Sequence, residues 1–140
     1  MNDLWYARHV AWNYGKRRSQ KIGKLGEDIA VRYLKMEGYT ILERNIFRVY
    51  GEIDIVAQKE NTVWCVEVKA LLAEKRAGKW KTKSAIRPEE NFTQEKRKKF
   101  ERSATLYAHM KKLSTWRMCL VVVYIDQENK YAKCEMILDL

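Results

Sequence analysis

Asp54, Glu67 and Lys69 are the residues of this sequence whose types and spacing could do chemistry. Glu67 and Lys69 are two residues apart at the end of the apolar segment Thr62–Lys69, which has the composition of a β-strand. Because side chains alternate along a strand, both point to one face, while the neighbouring valines point into a core. The pattern therefore predicts a carboxylate and an ammonium group side by side on an otherwise apolar strand.

Asp54 lies in the preceding predicted strand, Gly51–Ala57, which a short polar turn joins to the next one. If Glu60 and Asn61 form that turn, the register of the hairpin places Asp54 opposite Glu67. Like charges in facing positions destabilise a sheet, so this pair needs a compensating cation. Mg²⁺ (or Mn²⁺) is suited to the position, since hard divalent cations bind carboxylate oxygens. The hairpin therefore predicts a metal site at Asp54 and Glu67.

This set of side chains suits the hydrolysis of a phosphodiester. Asp54 and Glu67 would hold one or two metal ions, which polarise a phosphoryl oxygen and lower the pKa of a bound water. Lys69 would orient or deprotonate that water, or neutralise charge that develops in the transition state. Glu27, on the first predicted helix, is a further candidate carboxylate for the site. The alternative interpretation is an ordinary exposed ion pair between Asp54 and Lys69, which the complete set of residues disfavours.

The charge of the chain is positive and unevenly distributed. The 28 Lys and Arg residues outnumber the 18 Asp and Glu residues, which gives a net charge of +10. Residues 1–24 contain six basic and one acidic residue, and residues 74–102 contain eleven basic and five acidic residues. The stretch between them contains six basic and eight acidic residues. Such a distribution favours binding to nucleic acid, because cationic side chains on phosphates release counterions. The alternative is a basic surface that only keeps the protein soluble.

Five lysines are the candidates for contacts with a phosphate backbone. Three of them belong to the basic stretch that follows Lys69. The other two are near the start of the second long helix, three residues apart, and therefore share one face of it. Arg97 and Lys98, which lie between those two, are expected to face solvent. The five candidates are Lys79, Lys81, Lys83, Lys96 and Lys99.

The composition argues against several other classes of protein. No apolar stretch approaches the roughly 18 residues of a membrane helix, and the N-terminal segment has no apolar run like that of a secretory signal. Cys65, Cys119 and Cys134 are far apart and odd in number, which argues against a disulfide framework. His9 and His109 do not have the spacing of a zinc site. We therefore expect a cytoplasmic protein that is not bound to a membrane.

Hydrophobic periodicity predicts an α/β protein with a mixed central sheet flanked by helices, in the order α-β-β-β-α-β-β. Residues 22–140 would form a single nuclease-like domain, preceded by a basic and aromatic arm or helix at residues 1–21. Residues 71–91 have few periodic apolar residues and are expected to form a long basic loop. Besides the two hairpin strands, the expected elements are a helix at residues 22–36 that ends at Gly38, a strand at Tyr39–Leu42, a helix at residues 92–113, a central strand at Met118–Ile125 and a final strand at Tyr131–Leu138.

Several short motifs of the chain form a pattern that is known from one family of proteins. They are Gly23-x-x-Gly26-Glu27-x-x-Ala30-x-x-Tyr33-Leu34, Gly38-Tyr39, Asn45, Gly51-Glu52-Ile53-Asp54, Val66-Glu67-Val68-Lys69, and Thr93, Lys96, Lys99, Ala104 and Tyr107. Over about residues 22–125 the chain resembles the YraN-like family of predicted endonucleases, which is similar to archaeal Holliday junction resolvases and to the PD-(D/E)XK nucleases. The resemblance implies a restriction-endonuclease-like fold. It also implies that Glu27, Asp54, Glu67 and Lys69 match active-site positions.

Three functions follow as expectations. The first is a Mg²⁺- or Mn²⁺-dependent endonuclease that acts on DNA, with branched or flapped DNA as candidate substrates. The second is a module with a nuclease fold that binds nucleic acid without cleaving it. The third is an interaction protein in which Trp5, Trp12 and Tyr14 form a docking or dimer surface. The presence of all four polar positions favours the first, and a homodimer is compatible with it because a two-fold junction calls for two sites.

Overall fold

A computed structural model describes residues 18–49, 51–83 and 92–138 of the chain. The expected α/β class is confirmed, with one strand more than the sequence predicted. Residues 1–17, which make up most of the expected N-terminal arm, lie outside the described residues. The elements are α1 (Arg18–Met36), β1 (Thr40–Arg48), β2 (Gly51–Lys59), β3 (Thr62–Arg76), β4 (Lys79–Thr82), α2 (Gln94–Met110), β5 (Trp116–Asp126) and β6 (Tyr131–Leu138).

The strands form a mixed sheet in which β1, β2, β3, β5 and β6 are neighbours in that order, while β4 pairs with the second half of β3. β3 and β5 run parallel, and the other pairs are antiparallel. Every residue of the segment Cys119–Val123 in β5 is almost completely buried, which confirms the central strand that its apolar sequence predicts. This arrangement is consistent with a restriction-endonuclease-like fold.

Helix α1 covers one face of the sheet. Leu25, Ile29 and Leu34 recur at helical spacing and are fully buried, in the cluster that also contains Val66 and Val121 of the sheet. The helix begins four residues earlier than the periodicity predicted.

The end of α1 is the one that the sequence predicts. Gly38 has φ +93°, a conformation that glycine adopts without a steric penalty. Its N–H donates to the carbonyl oxygen of Lys35 at 3.1 Å, and the N–H of Tyr39 donates to that of Leu34 at 2.9 Å. The two bonds form a Schellman motif, which satisfies carbonyl groups that the helix end leaves without partners.

Helix α2 covers the opposite face. Its N-cap is Thr93, whose hydroxyl accepts a hydrogen bond from the N–H of Lys96 at 3.3 Å. Phe100, Ala104 and Tyr107 are buried together with sheet residues of that face, among them Cys65. Neither of the two described helices has the length and apolar character that a membrane span requires.

The expectation of a loop over residues 71–91 is wrong for its first part. β3 continues and returns as β4, so that residues 71–82 form a hairpin. Ala77 and Gly78 have φ values of 50° and 77°, and two consecutive positive values are typical of a two-residue hairpin turn. Because alanine rarely adopts positive φ, Ala77-Gly78 is not a recognisable turn signal. The rest of the expected loop, residues 84–91, lies outside the described residues.

The register of the β2–β3 hairpin is the expected one. Lys59 pairs with Thr62, and the pairing continues to Ile55 and Val66. Glu60 takes a positive φ of 56° in the turn. Continued by one residue, this register places Asp54 opposite Glu67, as the sequence predicts.

Gly26 sets the distance between α1 and β3. A Cβ atom at this position would lie 2.6 Å from the Cβ of Ala70, which is closer than side chains approach each other in folded proteins. The next residue of the helix is Glu27, and the residue before Ala70 is Lys69. The absence of a side chain at Gly26 therefore lets α1 lie close to β3 next to Glu27.

We predict that Gly26→Ala lowers the free energy of unfolding by about 1 kcal/mol or more, because the clash with Ala70 outweighs the gain in helix propensity. Gly23→Ala is the matched control, since nothing lies within 4 Å of a Cβ atom there. The control should raise the free energy of unfolding by up to about 1 kcal/mol. Urea denaturation of the three proteins measures both effects. Equal stabilisation by the two substitutions would show that α1 can move away from the sheet without cost.

Candidate active site

Asp54 lies where β2 and β3 stop pairing. The ladder between the two strands ends at Ile55 and Val66. One residue further, the Oδ2 atom of Asp54 accepts a hydrogen bond from the backbone N–H of Val68 at 2.8 Å. The side chain of Asp54 thus accepts the hydrogen bond that a backbone carbonyl of a paired strand would otherwise accept from Val68. This bond fixes the carboxylate between the two strands, beside Glu67 and Lys69 of β3.

A twist in β2 accompanies this change. Ile55 packs in the cluster under α1, whereas Ile53 packs in the cluster under α2. Residues two apart on a regular strand share a face, so the strand must twist between them, at Asp54. Asn45, on the neighbouring stretch of β1, has φ 50°, in the left-handed region that asparagine tolerates better than most residues. The distortion is therefore local to the pair of strands that presents Asp54.

Three carboxylates from three elements form what we call the carboxylate cluster: Glu27 of α1, Asp54 of β2 and Glu67 of β3. Burial raises the pKa of Glu67 to about 8, and the negative charges of Asp54, Glu52 and Glu27 contribute to the rise. The Lys69 ammonium acts in the opposite direction on the same pKa. Glu67 is thus held in a region of excess negative charge that Lys69 only partly offsets.

The other two members of the cluster are perturbed for the same physical reasons. Burial raises the pKa of Glu27 to about 7, and the charge of Asp54 adds to the rise, while Arg44 and Lys24 oppose it. Burial also raises the pKa of Asp54, although the hydrogen bond from Val68 acts against the rise. The charge of Glu52 adds to the rise at Asp54. Buried carboxylates whose pKa values are raised by neighbouring negative charges are typical of catalytic and metal-binding sites.

A cavity of about 420 Å³ opens beside the cluster, between the sheet and α2. We call it the site cavity. Its sheet side includes Glu52 and Glu67. Its helix side includes Lys96, Lys99 and Arg102, which we call the basic wall. Acidic groups and basic groups therefore face each other across a space that is open to solvent. A phosphodiester could place its phosphates against the basic wall with one bond near the carboxylates.

Close packing at Gly51 brings α2 against β2 at this cavity. The residue has φ +133°, which disfavours any L side chain. A Cβ atom there would also overlap with the Oγ of Ser103. Gly51 and Ser103 both line the site cavity, so the glycine of the Gly51-Glu52-Ile53-Asp54 motif sets the position of the basic wall.

Glu27, Asp54 and Lys69 all act on the pKa of Glu67, so the four residues predicted to be catalytic lie within electrostatic range of Glu67. Their catalytic role stays a prediction. Of the residues assigned to nucleic acid, Lys96 and Lys99 line the site cavity. Arg97 and Lys98 are exposed, and the cavity lining does not include them. Lys96 and Lys99 thus share the helix face at the cavity, and their contact with nucleic acid stays a prediction.

The remaining three lysines lie elsewhere. Lys79 and Lys81 are exposed residues on β4, and Lys83 follows it. Lys79 and Lys81 are two residues apart on the strand, so both lie on one face of it, which a loop would not guarantee. None of the three lines the site cavity. Their contact with nucleic acid stays a prediction.

Two residues of the site, Arg102 and Glu52, are not among those that the sequence motifs predicted. Glu52 raises the pKa of both Asp54 and Glu67. Arg102 continues the row that Lys96 and Lys99 begin, at steps of three residues, so helical spacing could have found it.

Comparison with known proteins places the chain among relatives. A model of the uncharacterised protein family UPF0102 matches residues 26–125, a range that contains the whole carboxylate cluster and the lysines of α2. This chain belongs to that family. UPF0102 is the YraN family, so the resemblance seen in the sequence motifs is confirmed.

Relatives cover most of the chain. A UPF0102 protein of Clostridium perfringens (strain 13 / Type A) is 33% identical over 121 residues, which are 86% of this chain and 92% of the relative. A UPF0102 protein of Desulforapulum autotrophicum is 34% identical over 122 residues, 87% of this chain and 93% of the relative. One of Fervidobacterium nodosum is 38% identical over 95 residues, 68% and 64% of the two chains. The family is uncharacterised, so membership alone names no activity.

We predict that the metal-free protein loses stability as pH rises from about 4.5 to about 8, in part because Glu67 must ionise in the folded state. Its pKa is raised, so the folded protein binds the proton more tightly than the unfolded chain does. Glu67→Gln removes this ionisation and should flatten the decline, so that the variant melts above wild type at high pH. Thermal unfolding in EDTA across this pH range measures the difference. Glu101→Gln, at an exposed position of α2, is the control and should follow wild type. Parallel curves for wild type and Glu67→Gln would contradict the prediction.

Proposed function

We propose that this protein is a metal-dependent endonuclease that hydrolyses phosphodiester bonds in DNA. The observation on which the proposal rests is the carboxylate cluster beside the site cavity. Carboxylates from three different elements have raised pKa values, the charge of Asp54 contributing to the rise at both Glu27 and Glu67, with Lys69 acting on Glu67 and three cationic side chains across the cavity. A structural ion-pair network would instead balance its charges. Excess negative charge opposite a basic wall suits a site that takes up both a cation and a polyanion.

The donor set fits Mg²⁺ or Mn²⁺. Asp54 uses Oδ2 for the bond to Val68, which leaves Oδ1 for a cation, and Glu67 offers a second carboxylate. Mg²⁺ keeps several water ligands and is commonly held by one or two carboxylates together with substrate phosphates. A cation between the two would relieve the repulsion that raises the pKa of Glu67. When bound, it would polarise a phosphoryl oxygen and acidify a water.

The chain's own side chains would divide the remaining tasks. Lys69 would place its ammonium beside the phosphate that reacts and offset the charge that develops on it. Glu27 would hold the attacking water by a hydrogen bond from the α1 side of the site. The basic wall, formed by Lys96, Lys99 and Arg102, would bind the neighbouring phosphates. These contacts would orient the backbone so that one phosphodiester lies at the carboxylate cluster.

The second candidate function is a module that binds nucleic acid without cleaving it. One observation favours it: in the described part of the chain, no group of three or more His, Cys, Asp or Glu side chains is arranged to hold a metal ion. Under this alternative the basic wall would still bind phosphates, and the carboxylate cluster would have no cation to hold. The two functions differ in the effect of divalent metal on the substrate.

We predict that the pure protein cleaves DNA with Mg²⁺ or Mn²⁺ and not with EDTA. Asp54→Ala, Glu67→Ala and Lys69→Ala should each lower the rate by about 100-fold or more, because each removes a group that acts on the reacting phosphate. The substrates are linear duplex, single-stranded, flapped and branched DNA, resolved on denaturing gels. Circular dichroism shows whether each variant is folded.

Asp54→Asn serves to separate binding from cleavage. It removes a negative charge from the site, so affinity for DNA in EDTA should hold or rise while cleavage is lost. A wild-type protein that binds every substrate and cuts none in either metal would refute the endonuclease proposal and leave the binding module.

We predict that Lys96→Ala combined with Lys99→Ala weakens DNA binding to a similar extent for unrelated sequences, since phosphate contacts do not read bases. The salt dependence should also become shallower, with each lost contact removing about 0.9 from the slope of log K against log salt. Fluorescence anisotropy in EDTA at several salt concentrations measures both quantities.

The matched control is Arg97→Ala combined with Lys98→Ala. It removes the same number of charges from the same turn of α2 but leaves the site cavity intact. A larger effect from the control pair would show that DNA lies on another face of the helix.

A further inference from the structure

Two large apolar side chains are exposed where β1 ends. The exposed fraction of Phe47 is 63%, and Val49 is fully exposed. Arg48, between them, is also exposed, and its guanidinium donates to the carbonyl oxygen of Phe47 at 2.9 Å. β1 is an edge strand of the sheet, so no neighbouring strand in the described part of the chain covers it on its outer side.

This apolar pair lies on the rim of the site cavity. Val49 is one of the residues that line the cavity. Phe47 pairs in register with Glu52, which lines the same cavity, and residues paired in this way have Cα atoms about 5 Å apart. Paired residues project to the same face of a sheet, so the register places Phe47 on the face of Glu52, next to the cavity that Glu67 and the cationic side chains of α2 also line. We call Phe47 and Val49 the apolar rim.

A ligand that covers this rim must combine a flat apolar surface with negative charge. The phosphates of a DNA strand that lies along Lys96, Lys99 and Arg102 would form ion pairs with this basic wall. The base attached to such a backbone would then be the nearest apolar group to the rim. Inside a duplex the faces of the bases are covered by their stacked neighbours, so away from the duplex ends only an unpaired base can present its face to a side chain.

We propose that the apolar rim stacks against an unpaired base next to the phosphodiester at the carboxylate cluster, so that the protein selects DNA with unpaired nucleotides over continuous duplex. The inference rests on the proposed function in that it takes the ligand to be DNA. It assigns to Phe47 the main contact, because its ring offers the larger and flatter surface, and to Val49 a supporting one. The basic wall binds the phosphates of continuous duplex and of DNA with unpaired nucleotides, whereas the apolar rim binds only the latter.

The test compares two DNAs that differ only at one end. One is a blunt duplex, and the other is the same duplex with a splayed single-stranded fork that contains 2-aminopurine at the first unpaired position. Affinities are measured by anisotropy in EDTA, where the substrate stays intact. Phe47→Ala should weaken binding to the fork by about fivefold or more and change binding to the duplex by less than about twofold. Stacking on wild type should also change the 2-aminopurine fluorescence, and Phe47→Trp should retain the preference for the fork.

Met110→Ala is the matched control. Its side chain is apolar and exposed to nearly the same fraction, 62%. It lies at the C-terminal end of α2, roughly 16 Å along the helix axis from Lys99. The substitution should leave both affinities unchanged.

Several outcomes would overturn the inference. Equal weakening on fork and duplex would show that Phe47 supports the fold of the hairpin and does not read unpaired bases. An unchanged affinity for the fork would show that the ring does not contact DNA. A wild-type dimer that Phe47→Ala dissociates, seen by analytical ultracentrifugation with no change in fork binding per site, would assign the rim to a second copy of this chain.

The binding test is independent of catalysis. A preference for the fork that depends on Phe47, without cleavage in Mg²⁺ or Mn²⁺, would support base stacking on the apolar rim and refute the endonuclease activity. Cleavage of fork and duplex at equal rates by both wild type and Phe47→Ala would support the endonuclease and refute the rim.

Discussion

Repulsion among Glu27, Asp54 and Glu67 is the constraint on which the arrangement of this site depends. Each carboxylate is partly buried, and the charges of Asp54 and Glu27 both raise the pKa of Glu67, while Asp54 also raises that of Glu27. Such a cluster costs folding free energy, so the surrounding structure has to hold it in place. The hydrogen bond from the N–H of Val68 holds Asp54, and the side chain of Lys69 offsets part of the charge on Glu67. The core below, with Val66 fully buried under α1, keeps β3 fixed while its other face presents charged groups.

Close helix packing places the rest of the site around this cluster. At Gly26 the absence of a side chain lets α1 lie directly on Ala70, which brings Glu27 to the sheet. At Gly51 it lets α2 approach β2 at Ser103, which brings the basic wall opposite the carboxylates. The two glycines therefore act on opposite faces of one sheet, and the site lies where both helices come nearest to the separating strands.

Hydrogen bonds to a buried carboxylate connect the hairpin of β3 and β4 to the turn after β5. Asp126, at the end of β5, accepts hydrogen bonds from the N–H of Lys75 at 3.1 Å and from Asn129. These bonds join the turn after β5 to the stretch of β3 from which β4 returns. Lys79 and Lys81 thus stand on a strand whose position is fixed by the sheet, and any contact they make with DNA would be made from a defined place.

Much of the fold and of the candidate site could be predicted because the signals are local. The apolar stripe of α1, Gly38 at its end and the continuous apolar sequence of β5 each act within one element, and the structure has all three. The register of β2 and β3, which pairs Ile55 with Val66 next to Asp54 and Glu67, also followed from counting, since a two-residue turn fixes the register of a hairpin. The turn at Ala77 and Gly78 could not be predicted, because alanine is not a residue that favours positive φ.

The sequence by itself determined the chemical types of the site, their order along two strands and the residue spacing that puts Lys96 and Lys99 on one face of a helix. Only the tertiary structure decided which groups meet across elements. Glu27 and Asp54 are 27 residues apart in the numbering, and their interaction depends on how closely α1 packs on β3. The position of Arg102 across the site cavity from Glu67 depends in the same way on the packing of α2 at Gly51. Periodicity fixes which face of an element a side chain occupies, but the separation between two elements is set by the volumes of the side chains between them, and those become neighbours only when the chain is folded.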